Sequence, residues 1–306
     1  MACPVLIDCD PGTDDALALL LALGSPALDV RAITVAGGNA TLERTLANAR
    51  AIVELSGRDV PVHAGADRPL LGHFTGEARV HGADGLAGIV LPPGPPAAPG
   101  LAADAIRAVL RAAAAPVTLI GLAPVTNFAL ALASEPALTS RIDRVVLMGG
   151  AWGEGNATPA AEFNALADPE ALAILLNLGV RLTMAVLEVT SQVIVTPARL
   201  AGLGSGAGRA LAAARAIQAA VPPSRRLGGA GTPLHDPCAV AYVIAPDLFH
   251  GRDAHLTVEC GIGPGRGRTH IDRWGRTGRA ANVHVLERVD AEGVFALLAE
   301  SLARLP

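Results

Sequence analysis

The 306-residue chain has no lysine; all 24 of its basic residues are arginine. A Schiff-base lysine and a phosphate-loop lysine are excluded together. Cysteine is scarce and scattered, at Cys3, Cys9, Cys238 and Cys260, with no pair at CxxC spacing. That argues against zinc and for reduced thiols in a cytoplasm. Aromatics make up 3% of the chain, and Tyr242 is its one tyrosine. Long apolar runs are missing as well, although 51% of residues are hydrophobic and mean hydropathy is +0.42. No run reaches the roughly 18 residues needed to span a membrane. The first apolar run lacks a basic leader and is cut by Asp8 and Asp10, which makes a poor signal peptide. The net charge of −4 provides no global pull toward nucleic acid or an anionic membrane.

What is present is an alternation of short apolar runs with helical ones. "PVLIDC", "DVRAITVAGG", "VTLIG", "RVVLMGG" and "VRLTMAV" read as strands, and "DDALALLLALG" and "TLERTLANARAIVELSG" as helices. The strands lack polar alternation, as expected when helices cover both faces of a sheet. The pattern predicts an α/β fold: a doubly wound, mostly parallel, Rossmann-like sheet in one domain spanning 1–306. Near the C-terminus "DAHLTVECG" and "ANVHVLERV" flank a Gly/Arg-rich link and predict an antiparallel hairpin at the sheet edge, followed by a closing helix. "LPPGPPAAPG" is too rigid and too poor in donors for a strand. The segment from Gly202 to Thr232 holds an Ala-rich helix and then "VPPSRRLGGAGTP", which reads as a surface loop.

The chemistry concentrates in "VLIDCDPGTDDALALLLAL", Val5 to Leu23, where Asp8, Asp10, Asp14 and Asp15 sit between a buried strand and a buried helix. Asp14 and Asp15 could simply serve the helix N-terminus, and Asp10 a turn. Carboxylates at a strand's carboxyl end are costly to desolvate without a partner, so the cluster points to a hard, oxygen-seeking cation, Ca²⁺ or Mg²⁺. Ligands of open α/β sheets bind beyond the carboxyl ends of the strands. That rule adds Asn39, a backbone carbonyl near Thr126, and Asn156, Glu162 and Asn164 as candidates. Asp8 and Asp10 also fit the Asp-x-Asp spacing of haloacid-dehalogenase-like phosphatases. That family wants Thr or Val where this chain has Gly12, and it needs a lysine.

A closer likeness runs along most of the chain. "DCDPGTDDALAL", "GGN" (Gly37 to Asn39), "HGADGL" (His81 to Leu86), "APVTN" (Ala123 to Asn127), "GNATPAAEFNALADPEA" (Gly155 to Ala171) and "PLHDPCAVAY" (Pro233 to Tyr242) occur in order. Together they resemble the inosine–uridine-preferring nucleoside hydrolases. The resemblance implies Ca²⁺-dependent hydrolysis of the N-glycosidic bond of ribonucleosides, with uridine and inosine favoured. It assigns Asp10, Asp15, the Thr126 carbonyl and Asp236 to the metal. Asp10 also takes the proton of the attacking water, and His235 is the acid that protonates the leaving base. Asp14 and Asn39 hold ribose hydroxyls, Asn156, Glu162 and Asn164 grip the far side of the ribose, Phe163 packs near the sugar, and His81 lies on the base side. It further implies a homodimer or homotetramer in the cytoplasm, with no nucleic-acid or membrane partner.

Several residues keep ordinary readings. Asp168 before Pro169 is expected to cap a helix. His63, His73, His250, His255, His270 and His284 match no motif, and the Arg-rich link reads as a solvated loop. The loop before "PLHDP" has Arg225, Arg226 and Leu227 where many relatives carry tyrosines, which leaves base choice open. Trp152 and Trp274 are the candidates for stacking. A ribose-binding protein that does not turn over remains the alternative on this scaffold.

Overall fold

The computed structural model describes every residue except 1, 75, 77, 225–227 and 230. Its strands are β1 (Cys3–Cys9), β2 (Leu28–Val35), β3 (Val62–Ala64), β4 (Val117–Gly121), β5 (Ile142–Met148), β6 (Leu182–Ala185), β7 (Ile194–Val195), β8 (Thr232–Pro233), β9 (Phe249–Val258), β10 (Thr269–Asp272) and β11 (Val283–Val289). Its helices are α1 (Thr13–Gly24), α2 (Leu42–Ser56), α3 (Ala78–His81), α4 (Ala102–Ala112), α5 (Thr126–Ser134), α6 (Phe163–Ala167), α7 (Pro169–Leu176), α8 (Leu187–Thr190), α9 (Pro197–Gly202), α10 (Arg209–Ala220), α11 (Asp236–Ile244) and α12 (Ala291–Leu302). Among the described residues, no helix is long and apolar enough to cross a membrane.

Nine strands form one sheet in the order β10-β9-β11-β6-β5-β4-β1-β2-β3. Seven of them, from β11 through β3, run parallel. The inner part follows the doubly wound order 3-2-1-4-5-6, so the direction of winding reverses between β1 and β4. β1 hydrogen-bonds to β2 on one side and β4 on the other. Its side chains divide between two apolar layers, Val5, Ile7 and Cys9 toward one and Leu6 toward the other. Both faces are therefore dry, which explains the missing polar alternation. All twelve residues of α1 are buried, because α2, α10, α11 and α12 surround it.

The antiparallel edge is present with one addition. β9 pairs antiparallel with β11 as expected, but the Gly/Arg-rich link supplies a further strand, β10, outside β9. Thr269 explains why. Its buried hydroxyl donates to the Ala151 carbonyl (2.6 Å) and accepts the Ala151 N–H (2.9 Å), pinning the link to the loop after β5. Two of the link's arginines are also tied down, Arg266 to Glu170 and Arg273 to Glu287 (2.7 and 2.8 Å). "LPPGPPAAPG" forms no strand and is held by Arg50, which donates to the Gly94 and Pro95 carbonyls.

Asp168 caps α7 as its sequence predicts, accepting the Ala171 N–H (3.0 Å). The same carboxylate accepts the Thr126 hydroxyl (2.6 Å) and the Leu70 N–H (2.9 Å), so one buried side chain ties three segments together. Asp168→Ala is expected to cost about 3 kcal/mol, from a lost cap and two buried donors left unpaired. Urea unfolding reads that loss, and a change below about 1 kcal/mol would show the three bonds to be redundant.

Candidate active site

A cavity of about 1020 Å³ opens over the carboxyl ends of β1, β4 and β5, where the winding reverses. Thr13 and Asp14 at the start of α1, with Asp236, form its floor, and the turn Asp10–Gly12 between β1 and α1 lies buried beneath them. Gly12 must be glycine there, because a Cβ would lie 2.7 Å from both Asn39 Nδ2 and His81 Nδ1. Gly38 is under the same constraint, since its Cβ would reach 2.0 Å from Asp10 Oδ2.

Asp15, fully buried, organises the floor. It accepts the Asp10 N–H (3.2 Å) and the Asn39 side-chain N–H₂ (3.1 Å), and it closes the start of α1 by accepting the Gly12 N–H (2.9 Å). Asp14, Asp15 and Asp236 converge, with one oxygen of each within 4.8 Å of the others. Asp236 is the first residue of α11, so segments far apart in sequence meet here. Asp10 stands beside this trio. Its Oδ2 accepts the Asn39 N–H (2.7 Å), and its buried Oδ1 has no partner among the described residues.

The electrostatics fit a cation. Burial first, then repulsion from Asp14, raises the Asp15 carboxyl to about 7. Burial, then repulsion from Asp15, pushes Asp10 well above the usual carboxylate range, and burial with repulsion from Asp14, Asp15 and Asp10 does the same to Asp236. An all-oxygen donor set, an orphaned carboxylate oxygen and converging negative charge are what a hard divalent ion would relieve. Asp8 lies apart from the trio, its Oδ1 accepting from Thr34 Oγ1 (2.7 Å) and Asn127 Nδ2 (2.8 Å).

Except for Thr126, which lies buried behind the wall, the remaining sequence candidates line the cavity. Asn39 lies over the floor and donates to the Asp10 carbonyl (3.2 Å). Thr126 opens α5 beyond the end of β4, buried, its hydroxyl turned to Asp168. On the opposite wall Asn156 accepts the Phe163 N–H (2.9 Å). Glu162 caps α6; its Oε1 accepts the Asn164 N–H (2.8 Å), and its Oε2 accepts the N–H groups of Ala165 and Gly150 (both 2.9 Å). Burial raises its carboxyl, and these backbone donors hold the rise back. Asn164 donates to the carbonyls of Leu122 (2.7 Å) and Met148 (3.2 Å), bridging the ends of β4 and β5. Glu162 and Asn164 thus build the wall as well as face the cavity. Phe163 is the aromatic ring among the described lining residues.

Two histidines line the cavity. His81 Nδ1 accepts the Thr13 N–H (3.1 Å), which requires its lone pair there and leaves the ring proton on Nε2. His235 Nδ1 pairs with Thr190 Oγ1 (2.7 Å). Trp152 and Trp274 do not line the cavity; Arg273 lies over both rings, at 4.2 and 5.8 Å. Tyr242 packs edge-on against Phe249 at 5.7 Å, away from the site. Arg225, Arg226 and Leu227 lie outside the described residues.

Sequence reading missed Gln218 and Thr190. Gln218, on α10, lines the cavity and donates to the Thr13 carbonyl (3.0 Å). Neither residue sits in a charged cluster or a turn signal, so nothing local distinguishes it.

The fold and this site together define a small-molecule enzyme site at the switch point of a doubly wound sheet, floored by carboxylates able to hold a cation. Residues 5–296 match the family model described as inosine-uridine preferring nucleoside hydrolase. The pyrimidine-specific ribonucleoside hydrolase RihA of Shewanella woodyi is 41% identical over 312 residues, covering 99% of this chain and 98% of that protein. RihA of Escherichia coli is 41% identical over 308 residues, with 99% of each covered. Among solved structures, a plant nucleoside hydrolase superposes with a TM-score of 0.90 at 30% identity, covering 99% of both chains. A purine-preferring ribonucleoside hydrolase from Gardnerella vaginalis gives 0.87 at 30% identity, covering 98% of both. The chain belongs to the nucleoside hydrolase family, enzymes that hydrolyse the N-glycosidic bond of ribonucleosides.

Proposed function

We propose that this enzyme is a Ca²⁺-dependent ribonucleoside hydrolase that favours pyrimidines, with uridine its first substrate and the purine nucleoside inosine a second. The convergence of Asp14, Asp15 and Asp236 at a cavity with ample room for a nucleoside carries the reading. The base preference rests on the relatives near 41% identity, whose names specify pyrimidines. The more distant structures include purine-preferring enzymes, so the fold alone does not choose the base.

In this reading Asp10, Asp15, Asp236 and the Thr126 carbonyl hold the ion. When bound there, Ca²⁺ would supply positive charge to attract oxygen ligands and to ease deprotonation of water. Asp14 and Asn39 receive ribose hydroxyls on the metal side. Asn156 and Asn164 receive them on the other, and Glu162 Oε1, carrying one backbone donor, has room for a second. The C1′–N bond breaks with its electrons passing to the base, and the ribose develops oxocarbenium character that the acidic floor stabilises. Water adds its oxygen to C1′ and gives a proton to Asp10, whose Oδ2 is steadied by Asn39. His235 protonates the departing base, His81 borders it, and Phe163 packs against the sugar. The same reading keeps the chain in the cytoplasm as a homodimer or homotetramer, in which exposed Leu71, Val90, Ile262 and Trp274 offer apolar surface to cover.

A site that bonds the ribose hydroxyls this fully should reject a substrate lacking one. Uridine should be cleaved at least about 10³-fold more efficiently than 2′-deoxyuridine, because the missing hydroxyl leaves buried polar groups unpaired. Uracil release from each, with Ca²⁺ present, reads the ratio. Equal rates would overturn the ribose assignments.

A further inference from the structure

We propose that Thr190 is a positioning residue for the base-protonating step. Its hydroxyl fixes the ring of His235 so that the transferring proton leaves from Nε2. The inference rests on the assignment of His235 as the acid in the preceding subsection.

α8 is a single turn between β6 and β7. Thr190 is fully buried on it, and its Oγ1 lies 2.7 Å from His235 Nδ1 and 3.4 Å from the Leu187 carbonyl. A hydroxyl has one proton. With that proton toward Leu187, Oγ1 is left to accept from Nδ1–H. Nδ1 is then committed, and proton transfer to a leaving base runs through Nε2. The surrounding backbone holds the pair in register. β7 pairs antiparallel with β8, and Leu234 donates its N–H to the Val193 carbonyl (2.8 Å), so the strand leading to His235 is clamped along the segment that follows Thr190. The next residue, Ser191, lines the cavity alongside His235.

The same turn braces the opposite wall. Glu188 accepts the N–H groups of Gly153 (2.8 Å) and Trp152 (3.3 Å), holding the loop that leads to Asn156. Leu187 donates its N–H to the Gly150 carbonyl (3.0 Å). α8 therefore stands between the ribose-side loop and the acid, with one polar side chain turned to each. Loss of the Thr190 hydroxyl should disturb only the acid.

During turnover His235 gives its Nε2 proton to the base as the C1′–N bond breaks, and the electrons of that bond stay with the base. A substrate whose leaving group departs as a stable anion does not need that proton. Uridine and p-nitrophenyl β-D-ribofuranoside therefore separate the acid step from the rest of the reaction. Thr190→Val keeps shape and burial but removes the hydroxyl. We expect its kcat on uridine to fall by about 10- to 100-fold, by analogy with the loss of partners that orient metal-bound imidazoles. KM should stay within about twofold, and kcat on the nitrophenyl riboside should change little. Thr190→Ser, which restores the hydroxyl, should recover uridine turnover. An equal loss on both substrates, or full uridine activity in Thr190→Val, overturns the proposal. His235→Ala, assayed in parallel, separates the two levels. If it fails to depress uridine turnover selectively, the acid assignment itself is wrong; if it does and Thr190→Val does not, only the positioning role is.

Discussion

Asp10→Asn is expected to lower kcat on uridine by at least about 10³-fold, within the range for loss of a proton acceptor. The substitution conserves volume, and the Asn39 N–H can still donate to the remaining carbonyl oxygen. The fold should survive, and in metal-free protein it should gain stability. Burial and the neighbouring Asp15 carboxylate both disfavour a charge at position 10, and a neutral amide removes that strain. The pair of outcomes is diagnostic: activity falls while the melting temperature of the metal-free protein holds or rises. A variant that retains a tenth or more of the wild-type kcat would remove Asp10 from the chemistry.

The second large effect concerns the ion. Chelation should abolish turnover and also loosen the fold, because the buried carboxyls of Asp15 and Asp236, far apart in sequence, would then face each other without the ion. A ligand binding only the folded state at 100 times its Kd stabilises it by about 2.7 kcal/mol. In a protein of this size that corresponds to a rise of roughly 5 °C in Tm. Restoring Ca²⁺ after chelation should return both activity and that increment. Asp236→Asn should lose both, since the proposed ion is then left with Asp10 and Asp15 as its carboxylate ligands. A Ca²⁺-independent Tm in wild-type protein, with activity surviving chelation, would rule out the metal assignment.

Much of this architecture is readable before folding. Unbroken apolar strands ending in acids or Gly-Asn predict a doubly wound sheet with its ligands at the carboxyl ends, and Asp14, Asp15 and Asn39 are found there. Asp168 reads as a cap from "DPE" alone, and the structure adds its bonds to Thr126 and Leu70. Other features could not be read because they are tertiary. β10 hides in a Gly/Arg-rich link whose composition speaks for a loop, and Thr269 makes it a strand only by reaching Ala151. Glu162 and Asn164 read as ligands, but their wall-building bonds depend on where β4 and β5 end. Thr190 sits on a four-residue helix with no periodicity to reveal it, and its partner is 45 positions away.

The measurement closest to the central claim is release of reducing sugar from a panel of ribonucleosides, including uridine, cytidine, inosine and adenosine, with Ca²⁺ and with chelator. The account predicts ribose and free base in equal amounts, fastest from uridine, and none after chelation. No ribose from any ribonucleoside, with Ca²⁺ shown to be bound, would contradict it and leave a nucleoside-binding protein that does not turn over.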